Sequence, residues 1–171
     1  MMRTVLTALT TIALLGCVGC PPPDSLEGPR VHVETKKGLT VELVLPKYSF
    51  YRGEAIPLKI VARNESREDI VLDADSRALA HVTLHRRAID AWQQIKKYPD
   101  SAIVAARQWT LRPGQSRTFP LNIDVAPDWP TGEPLRLAGG LNGRPDVAPA
   151  ATIDVYPTRD AYERAAGLTD D

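Results

Sequence analysis

Residues 39–64 read LTVELVLPKYSFYRGEAIPLKIVARN and contain two runs in which every second side chain is apolar. The apolar positions are Leu39, Val41, Leu43 and Leu45 in the first run, and Ile56, Leu58, Ile60 and Ala62 in the second. Alternation with a period of two places side chains of one kind on one face of a strand. Pro46 and Gly53 lie between the runs and are typical of bends. This stretch therefore predicts two β-strands and a fold built from β-sheet.

The same alternation continues on both sides of this stretch. It predicts further strands around Val31 and Val33, Ile70 and Leu72, Val82 and Leu84, Trp109 and Leu111, and Phe119, Leu121 and Ile123. Two more strands are predicted in LRLAGGL (135–141) and AATIDVY (150–156), and the Asn142–Gly143 pair suggests that they form a closing hairpin.

Three pairings are expected from local turn chemistry. The strand at 70–72 follows a polar turn, so it should pair with the strand before it. Arg112, Pro113, Gly114 and Gln115 form a turn sequence that predicts a hairpin between the strands on either side. Residues 87–106 fit a helical face or a strand, and we expect a hairpin partner of the preceding strand followed by an irregular segment.

The fold class follows from many short strands separated by turns. The chain has 15 prolines and 11 glycines, and seven to nine predicted strands without intervening helices favour an antiparallel sheet protein. We predict an all-β fold, an antiparallel immunoglobulin-like β-sandwich over residues 31–157. It lacks the intersheet disulfide of antibody domains. A short C-terminal helix and tail should occupy residues 158–171, with Thr158 as N-cap and Gly167 as the stop.

The N-terminal segment has the pattern of an export signal. Arg3 is followed by an uncharged apolar run over residues 5–15 and by a small residue, Gly16. This order is typical of a secretory signal peptide, here residues 1–16. The run is shorter than the about 20 apolar residues that a membrane-spanning helix needs.

The two cysteines, Cys17 and Cys20, lie directly after this run. Leu14, Leu15, Gly16 and Cys17 resemble the lipobox of bacterial lipoproteins, which implies that the Cys17 thiol carries a diacylglycerol and becomes the mature N-terminus. Cys20 is the alternative acceptor. A redox pair or a zinc site is disfavoured because three prolines follow Cys20 and no second ligand pair is nearby. Residues 17–30 then form a lipidated, proline-rich tether, and the protein is expected in the bacterial envelope, extracytoplasmic, in the periplasm or at the cell surface.

A looser resemblance covers residues 39–143. The segments YRGEAIPLKIVARNESREDIVL, LRPGQSRTFPLNID and PTGEPLRLAGGLNG are similar to the BsuPI-type intracellular proteinase inhibitor family, through a Gly-Glu before a strand and a Leu-x-Pro-Gly turn. The resemblance implies an immunoglobulin-like fold and, as an alternative function, inhibition of subtilisin-type serine proteases.

Composition and motifs exclude several classes of function. Lys and Arg number 21 and Asp and Glu number 21, so the chain has no basic excess for nucleic acid. The sequence contains no G-x-S-x-G elbow, and we predict neither an enzyme nor a cofactor. His81 and His85 are four residues apart on a predicted strand, about 13 Å and too far for one ion, so no metal site is predicted.

Aromatic residues on loops are the candidates for binding. Trp129 lies in APDWPTGEP, and Tyr48 and Tyr51 lie in KYSFYRGE. Loops held by a rigid sheet scaffold often form binding surfaces. We therefore predict a noncatalytic binding or assembly module with a protein partner, attached to the membrane through its N-terminal lipid.

Overall fold

The computed structural model describes residues 29–74, 79–99 and 107–168. Within these ranges the chain forms eleven strands and one helix. The elements are β1 (Arg30–Lys36), β2 (Leu39–Leu45), β3 (Ser49–Tyr51), β4 (Ala55–Asn64), β5 (Ile70–Ala74), β6 (Ala80–Arg87), β7 (Trp92–Tyr98), β8 (Arg107–Leu111), β9 (Ser116–Asp124), β10 (Leu135–Leu141), β11 (Ala150–Tyr156) and α1 (Arg159–Ala165). The predicted all-β class with a short C-terminal helix is confirmed.

The strands form three sheets. One has the order β1-β2-β4-β9, the second has the order β3-β11-β10-β6-β7, and β5 pairs with β8 in a two-stranded ribbon. Neighbouring strands are antiparallel, except that β3 runs parallel to β11. The predicted antiparallel arrangement is confirmed.

The two larger sheets share one hydrophobic core. Its fully buried members include Leu39, Val41, Leu43, Leu45, Ile56, Ile60, Val82, Leu84, Leu135 and Leu137. The two sheets approach closely at Gly139 on β10, because a Cβ built there would lie 3.2 Å from Leu43 on β2 and 3.3 Å from Ile60 on β4. The two larger sheets therefore pack against each other at close-packed distances.

Two predicted pairings are wrong. β5 does not pair with β4, and β8 does not form a hairpin with β9; β5 and β8 pair with each other, while β9 pairs with β4. The turn over residues 112–115 carries the chain from the ribbon into a different sheet. Alternation identifies the buried face of a strand but does not select its neighbour, so both errors have the same origin.

The other local pairings are as expected. β7 pairs with β6, and β11 pairs with β10, both antiparallel. The helix α1 begins after Thr158, whose Oγ1 accepts from the Ala161 amide at 3.2 Å. The Gly167 amide donates to the Arg164 carbonyl at 3.2 Å, and Gly167 has a φ of +67°. The predicted cap and stop of this helix are confirmed.

Edge strand β1 presents its apolar side chains to solvent. Val31 and Val33 are 50% and 56% exposed, whereas His32 pairs with Leu43 and Glu34 pairs with Val41, both buried in the core. Paired residues share a face of the sheet, so the polar residues of β1 lie on the core side. Glu34 is retained there by a hydrogen bond, since its Oε2 accepts from the Ala148 amide at 2.9 Å.

Asn64, at the end of β4, is a fully buried polar side chain. Its amide nitrogen donates to the carbonyls of Glu68 and Leu111, each at 2.7 Å. Its amide oxygen accepts from the Ser66 backbone N–H at 2.9 Å and from the Ser66 hydroxyl at 2.7 Å. This network joins β4, the turn that follows it and β8, and it satisfies the donors and acceptors of the buried amide.

Replacing Asn64 by leucine should destabilise the fold. Leucine has the same branching and the same number of side-chain heavy atoms, but the carbonyls of Glu68 and Leu111 lose their donor and the bulkier methyl groups must fit a filled site, so we expect Asn64→Leu to lower the free energy of unfolding by about 2–4 kcal/mol. Equilibrium denaturation in urea measures the difference. Asn122→Leu, at an exposed position of β9, is the control and should change stability by about 0.5 kcal/mol or less. Equal effects of the two substitutions would contradict a structural role for the network.

Candidate functional site

Most of the candidate binding loops lie at one end of the domain. In the five-stranded sheet, Leu135 pairs with both Ile153 and Arg86, and Asp154 pairs with Ser49. This row across the sheet places the ends of β3, β6 and β11 and the start of β10 together. We call this the loop end; it comprises turn 52–54, hairpin 88–91, loop 125–134 and helix α1.

The first described residues of the chain also lie at the loop end. Arg30 pairs with Leu45, the last residue of β2, just before the chain crosses towards β3. The Arg30 guanidinium lies 5.4 Å from the centroid of the Tyr48 ring. The chain that precedes β1 therefore reaches the domain at the same end as the loops.

Two loops that the sequence singled out separately form one surface. The Gly53 amide donates to the Val125 carbonyl at 2.8 Å, and the Val125 amide donates to the Glu54 carbonyl at 2.9 Å. Arg52 donates to the Trp129 carbonyl from Nη2 at 2.7 Å and from Nε at 3.2 Å. Gly53 has a φ of +87°, which the left-handed position of this turn requires. Turn 52–54 and loop 125–134 are thus held as a unit.

Trp129 is buried, with 1% of its surface exposed. Its Nε1 donates to the Tyr98 hydroxyl at 3.0 Å, and burial raises the pKa of Tyr98. Tyr98 lies on β7 and the Trp129 loop follows β9, so this hydrogen bond links an edge strand of the five-stranded sheet to the loop that follows an edge strand of the four-stranded sheet. This corrects the prediction of Trp129 as a binding residue: its side chain has no free face for a partner, and it anchors the loop instead.

The two predicted tyrosines differ in accessibility. Tyr48 is 36% exposed, and its hydroxyl lies 3.0 Å from His32 Nε2. Tyr51 is half-buried, with its ring centroid 5.8 Å from that of Tyr162 on α1. Tyr48 offers a surface for contact directly, whereas Tyr51 offers one beside the helix.

Helix α1 is attached to the loop end through Tyr162. The Tyr162 ring lies 5.9 Å from that of Tyr156 and 4.3 Å from the Lys47 ammonium, which pairs with Glu54 at 2.7 Å. α1 has no buried residue, so these aromatic and cation–π contacts carry much of its attachment. Sequence reasoning missed this cluster; its one signal is a large aromatic in an otherwise small and polar helix.

A shallow groove lies beside this cluster. It is lined by residues 132–134 and 154–157 and has a volume of about 290 Å³. Its side chains include two carboxylates, Glu133 and Asp154, together with the Tyr156 ring and two prolines. Pockets for drug-sized molecules have about 300–1,000 Å³ and enclose most of the ligand. The groove is therefore better suited to a side chain or a short turn of another protein.

Two histidines lie on the solvent-facing side of the five-stranded sheet. His81 pairs with Gly140 and His85 with Arg136. Burial, and then Lys97, lower the pKa of His81 to about 4; burial, and then Arg136, lower that of His85. His85 Nε2 lies 2.8 Å from the Thr83 hydroxyl. Both imidazoles are therefore neutral at physiological pH.

The part of the chain that the structure describes offers neither a metal-binding cluster nor a membrane-spanning helix. Among those residues, no group of three His, Cys, Asp or Glu side chains is placed to hold a metal ion. Nor do they include a helix long and apolar enough to cross a membrane. The predicted lipid acceptor Cys17 and its alternative Cys20 lie outside the described residues.

Comparison with known proteins gives a likeness of fold. No protein-family model and no curated protein matches the chain. The sporulation control protein Spo0M from Bacillus subtilis is similar in structure, with a TM-score of 0.52 and 14% sequence identity. The match covers 78% of this chain and 55% of Spo0M, so this chain corresponds to about half of that protein. At this identity the likeness concerns the fold alone.

Weaker similarities involve parts of larger enzymes. A β-glucosidase from Listeria innocua gives a TM-score of 0.43 at 14% identity, over 74% of this chain and 17% of the enzyme. A β-glucosidase from Erythrobacter marinus gives 0.42 at 8% identity, over 75% of this chain and 16% of the enzyme. Each match is confined to a small part of the enzyme.

The lowered pKa of His81 predicts a pH dependence of stability. Between about pH 6.5 and about pH 4, the unfolded chain binds more protons at this residue than the folded chain. The free energy of unfolding should therefore fall as pH falls through this window. For a partly exposed ring we expect a loss on the order of 1–2 kcal/mol, measured by urea denaturation at about pH 7 and about pH 5.

His81→Gln is the matched variant for this measurement. It retains a polar side chain but does not titrate, so its stability should fall less between the two pH values than that of the natural chain. A decrease of the same size in both proteins would contradict the assignment to His81.

Proposed function

We propose that this protein is a lipid-anchored, noncatalytic binding or assembly module of the bacterial envelope, whose loop end contacts a protein partner. The observation that carries the proposal is the union of turn 52–54 and loop 125–134, two segments that the sequence marked independently. Their hydrogen bonds hold these two segments against each other. A preformed surface of this kind loses little conformational entropy when it binds.

For the fold, we propose an immunoglobulin-like β-sandwich. Four- and five-stranded sheets that share one core support it, as does the crossing of the chain between sheets at several turns. The fold likeness to Spo0M supports a recurring architecture, without bearing on activity. Sandwich domains commonly bind through loops gathered at one end, and the loop end has this arrangement.

The membrane attachment is proposed from the N-terminal sequence. The pattern of residues 1–17 implies export, cleavage and acylation of Cys17, with Cys20 as the alternative acceptor. Residues 17–30 then tether an extracytoplasmic domain to the bilayer, in the periplasm or at the cell surface. Several acyl chains on one residue give stable anchoring, because each buried methylene contributes about 0.8 kcal/mol.

The proposed contact surface consists of Tyr48, Tyr51 and the groove of residues 132–134 and 154–157. Tyr48 is exposed, and the groove carries the carboxylates of Glu133 and Asp154 beside apolar proline and tyrosine surface. Tyrosines with both an apolar ring and a polar tip are enriched in protein interfaces. A protein segment that carries a cation fits this combination best.

Inhibition of a subtilisin-type serine protease is the alternative function. It would use the same loops, and the Arg52 hydrogen bonds to the Trp129 carbonyl give loop 125–134 the rigidity that an inhibitory loop needs. Stoichiometric loss of activity in a panel of subtilisin-type proteases would support this alternative over a binding module.

The anchor is tested by substitution of each cysteine. Cys17→Ser removes the proposed acceptor, so the mature protein should lose the diacylglycerol mass and move from the membrane fraction to the soluble fraction. Cys20→Ser should leave both unchanged. Intact-mass measurement and membrane fractionation record the two results. The reverse pattern would place the acceptor at Cys20, and membrane retention of both variants without added lipid mass would contradict the anchor.

The contact surface is tested by photocrosslinking in cells. A photoreactive phenylalanine analogue at Tyr48 should give a discrete crosslink to an envelope protein, because this side chain is exposed at the loop end. The same analogue at Gln115, exposed in the turn before β9 at the opposite end, is the control and should give no such product. Equal products at both positions would contradict a specific surface, and a serine protease as the crosslinked protein would favour the inhibitor.

A further inference from the structure

The hairpin between β6 and β7 ends in an apolar side chain that faces water. Ile89 is 97% exposed, and its neighbours Ala88, Asp90 and Ala91 are exposed as well. The Ala88 amide donates to the Ala91 carbonyl at 2.8 Å, so the tip is a closed turn with Ile89 and Asp90 at its apex. Tight turns favour Gly, Asn or Asp at such positions. The geometry of the turn therefore does not explain an isoleucine at residue 89.

Cationic side chains surround this tip. Arg86 and Arg87 are exposed at the end of β6, and Arg86 donates to Gln93 Oε1 at 3.2 Å. The Arg136 guanidinium lies 5.9 Å from the centroid of the Trp92 ring at the start of β7. Three arginines thus lie near the apolar apex, whereas residues 86–92 contain one carboxylate, that of Asp90. This combination complements a surface with an apolar interior and anionic headgroups.

The position of the tip matches the entry of the chain. Arg86 lies in the same row of the five-stranded sheet as Leu135 and Ile153. The next residue of β11, Asp154, pairs with Ser49 and donates its amide to the Tyr48 carbonyl. Arg30 contacts Tyr48 at the opposite edge of that row. Both β6 and β3 run towards the loop end, so the tip projects from the end at which the preceding chain arrives.

The dimensions permit simultaneous contact of the anchor and the tip. From β3 to β7 the sheet has four strand spacings, about 19 Å in all. A tether of fourteen residues, the length of the proposed segment 17–30, would span about 40 Å if it were fully extended. A lipid on Cys17 therefore allows the tip to meet the same membrane from which the tether extends.

We infer that the β6–β7 tip docks on an anionic lipid surface, with Ile89 inserted among the headgroups and Arg86 and Arg87 near the phosphates. The inference rests on the proposed function in one respect: the lipid anchor keeps the tip at a high local concentration near the membrane. The contact with the lipids is made by the side chains of the tip itself. It orients the domain with the loop end towards the membrane, so the proposed partner is met at the membrane surface.

A fluorescent reporter on the tip tests this inference. Asp90→Cys in a Cys20→Ser background is labelled with an environment-sensitive dye, and the full chain is reconstituted into phosphatidylglycerol-containing vesicles that carry a spin-labelled lipid. The dye should shift to the blue and be quenched. A dye at Glu65→Cys, exposed at the opposite end of β4, is the control and should show neither effect.

The unlipidated chain separates the tip from the anchor. Labelled Asp90→Cys chains with both Cys17→Ser and Cys20→Ser are mixed with the same vesicles, and intact mass reports whether the parent chain carries lipid. We expect weaker quenching that requires the anionic lipid and falls with added salt. Ile89→Ser should weaken this partition on the order of tenfold, whereas Val33→Ser, which removes an exposed β-branched apolar side chain from β1, should not.

Two results would overturn the inference. One is a lipidated chain whose tip dye behaves like the dye at residue 65. The other is tip quenching that Ile89→Ser leaves unchanged. Absence of lipid on the parent chain, with tip quenching that depends on Ile89, would sustain the docking tip and reject the proposed anchor instead.

Discussion

The buried side chain of Trp129 provides the contact on which the loop end depends. The two larger sheets share a core, but their edge strands on this side are not hydrogen-bonded to each other. The indole is buried in that core and donates to Tyr98, while the backbone carbonyl of Trp129 accepts from Arg52. One residue thus lies in the shared core and helps to hold loop 125–134 against turn 52–54. At the other end of β4, the buried amide of Asn64 joins neighbouring elements in a comparable way.

Much of the fold could be predicted because the alternation of apolar and polar side chains is a local property of each strand. The strands β2 and β4 could be identified from their apolar positions alone, and Thr158 and Gly167 bounded the helix. Pairing could not be predicted in the same way, as β5, β8 and β9 illustrate. A turn such as residues 112–115 serves a hairpin and a crossing between sheets equally well, and the choice depends on contacts distant in sequence. Val31 and Val33 alternate correctly, yet they face solvent because polar partners hold the other face of β1.

The candidate site was predictable in place but not in detail. APDWPTGEP follows β9 as a loop, as its composition predicts, whereas residues 49–51 of KYSFYRGE form the short strand β3, and only the turn after this strand meets the loop. Their hydrogen bonds through Gly53 and Arg52 were not foreseeable, because they join residues up to 77 positions apart. The burial of Trp129 could not be predicted for a related reason. Loop composition predicts an exposed side chain, whereas the large apolar surface of an indole favours its burial in the core. The contacts of Tyr162 could not be predicted either, because they depend on where helix α1 packs against the sheet.

The entry of the chain at Arg30 has a topological consequence. Arg30 lies beside Tyr48, the Tyr48 carbonyl accepts from Asp154, and α1 is attached through Tyr162 to Tyr51 and Tyr156. The beginning and the end of the described domain are therefore neighbours. Such an architecture can be spliced as a cassette into a surface loop of another protein, because its two junctions are already close together.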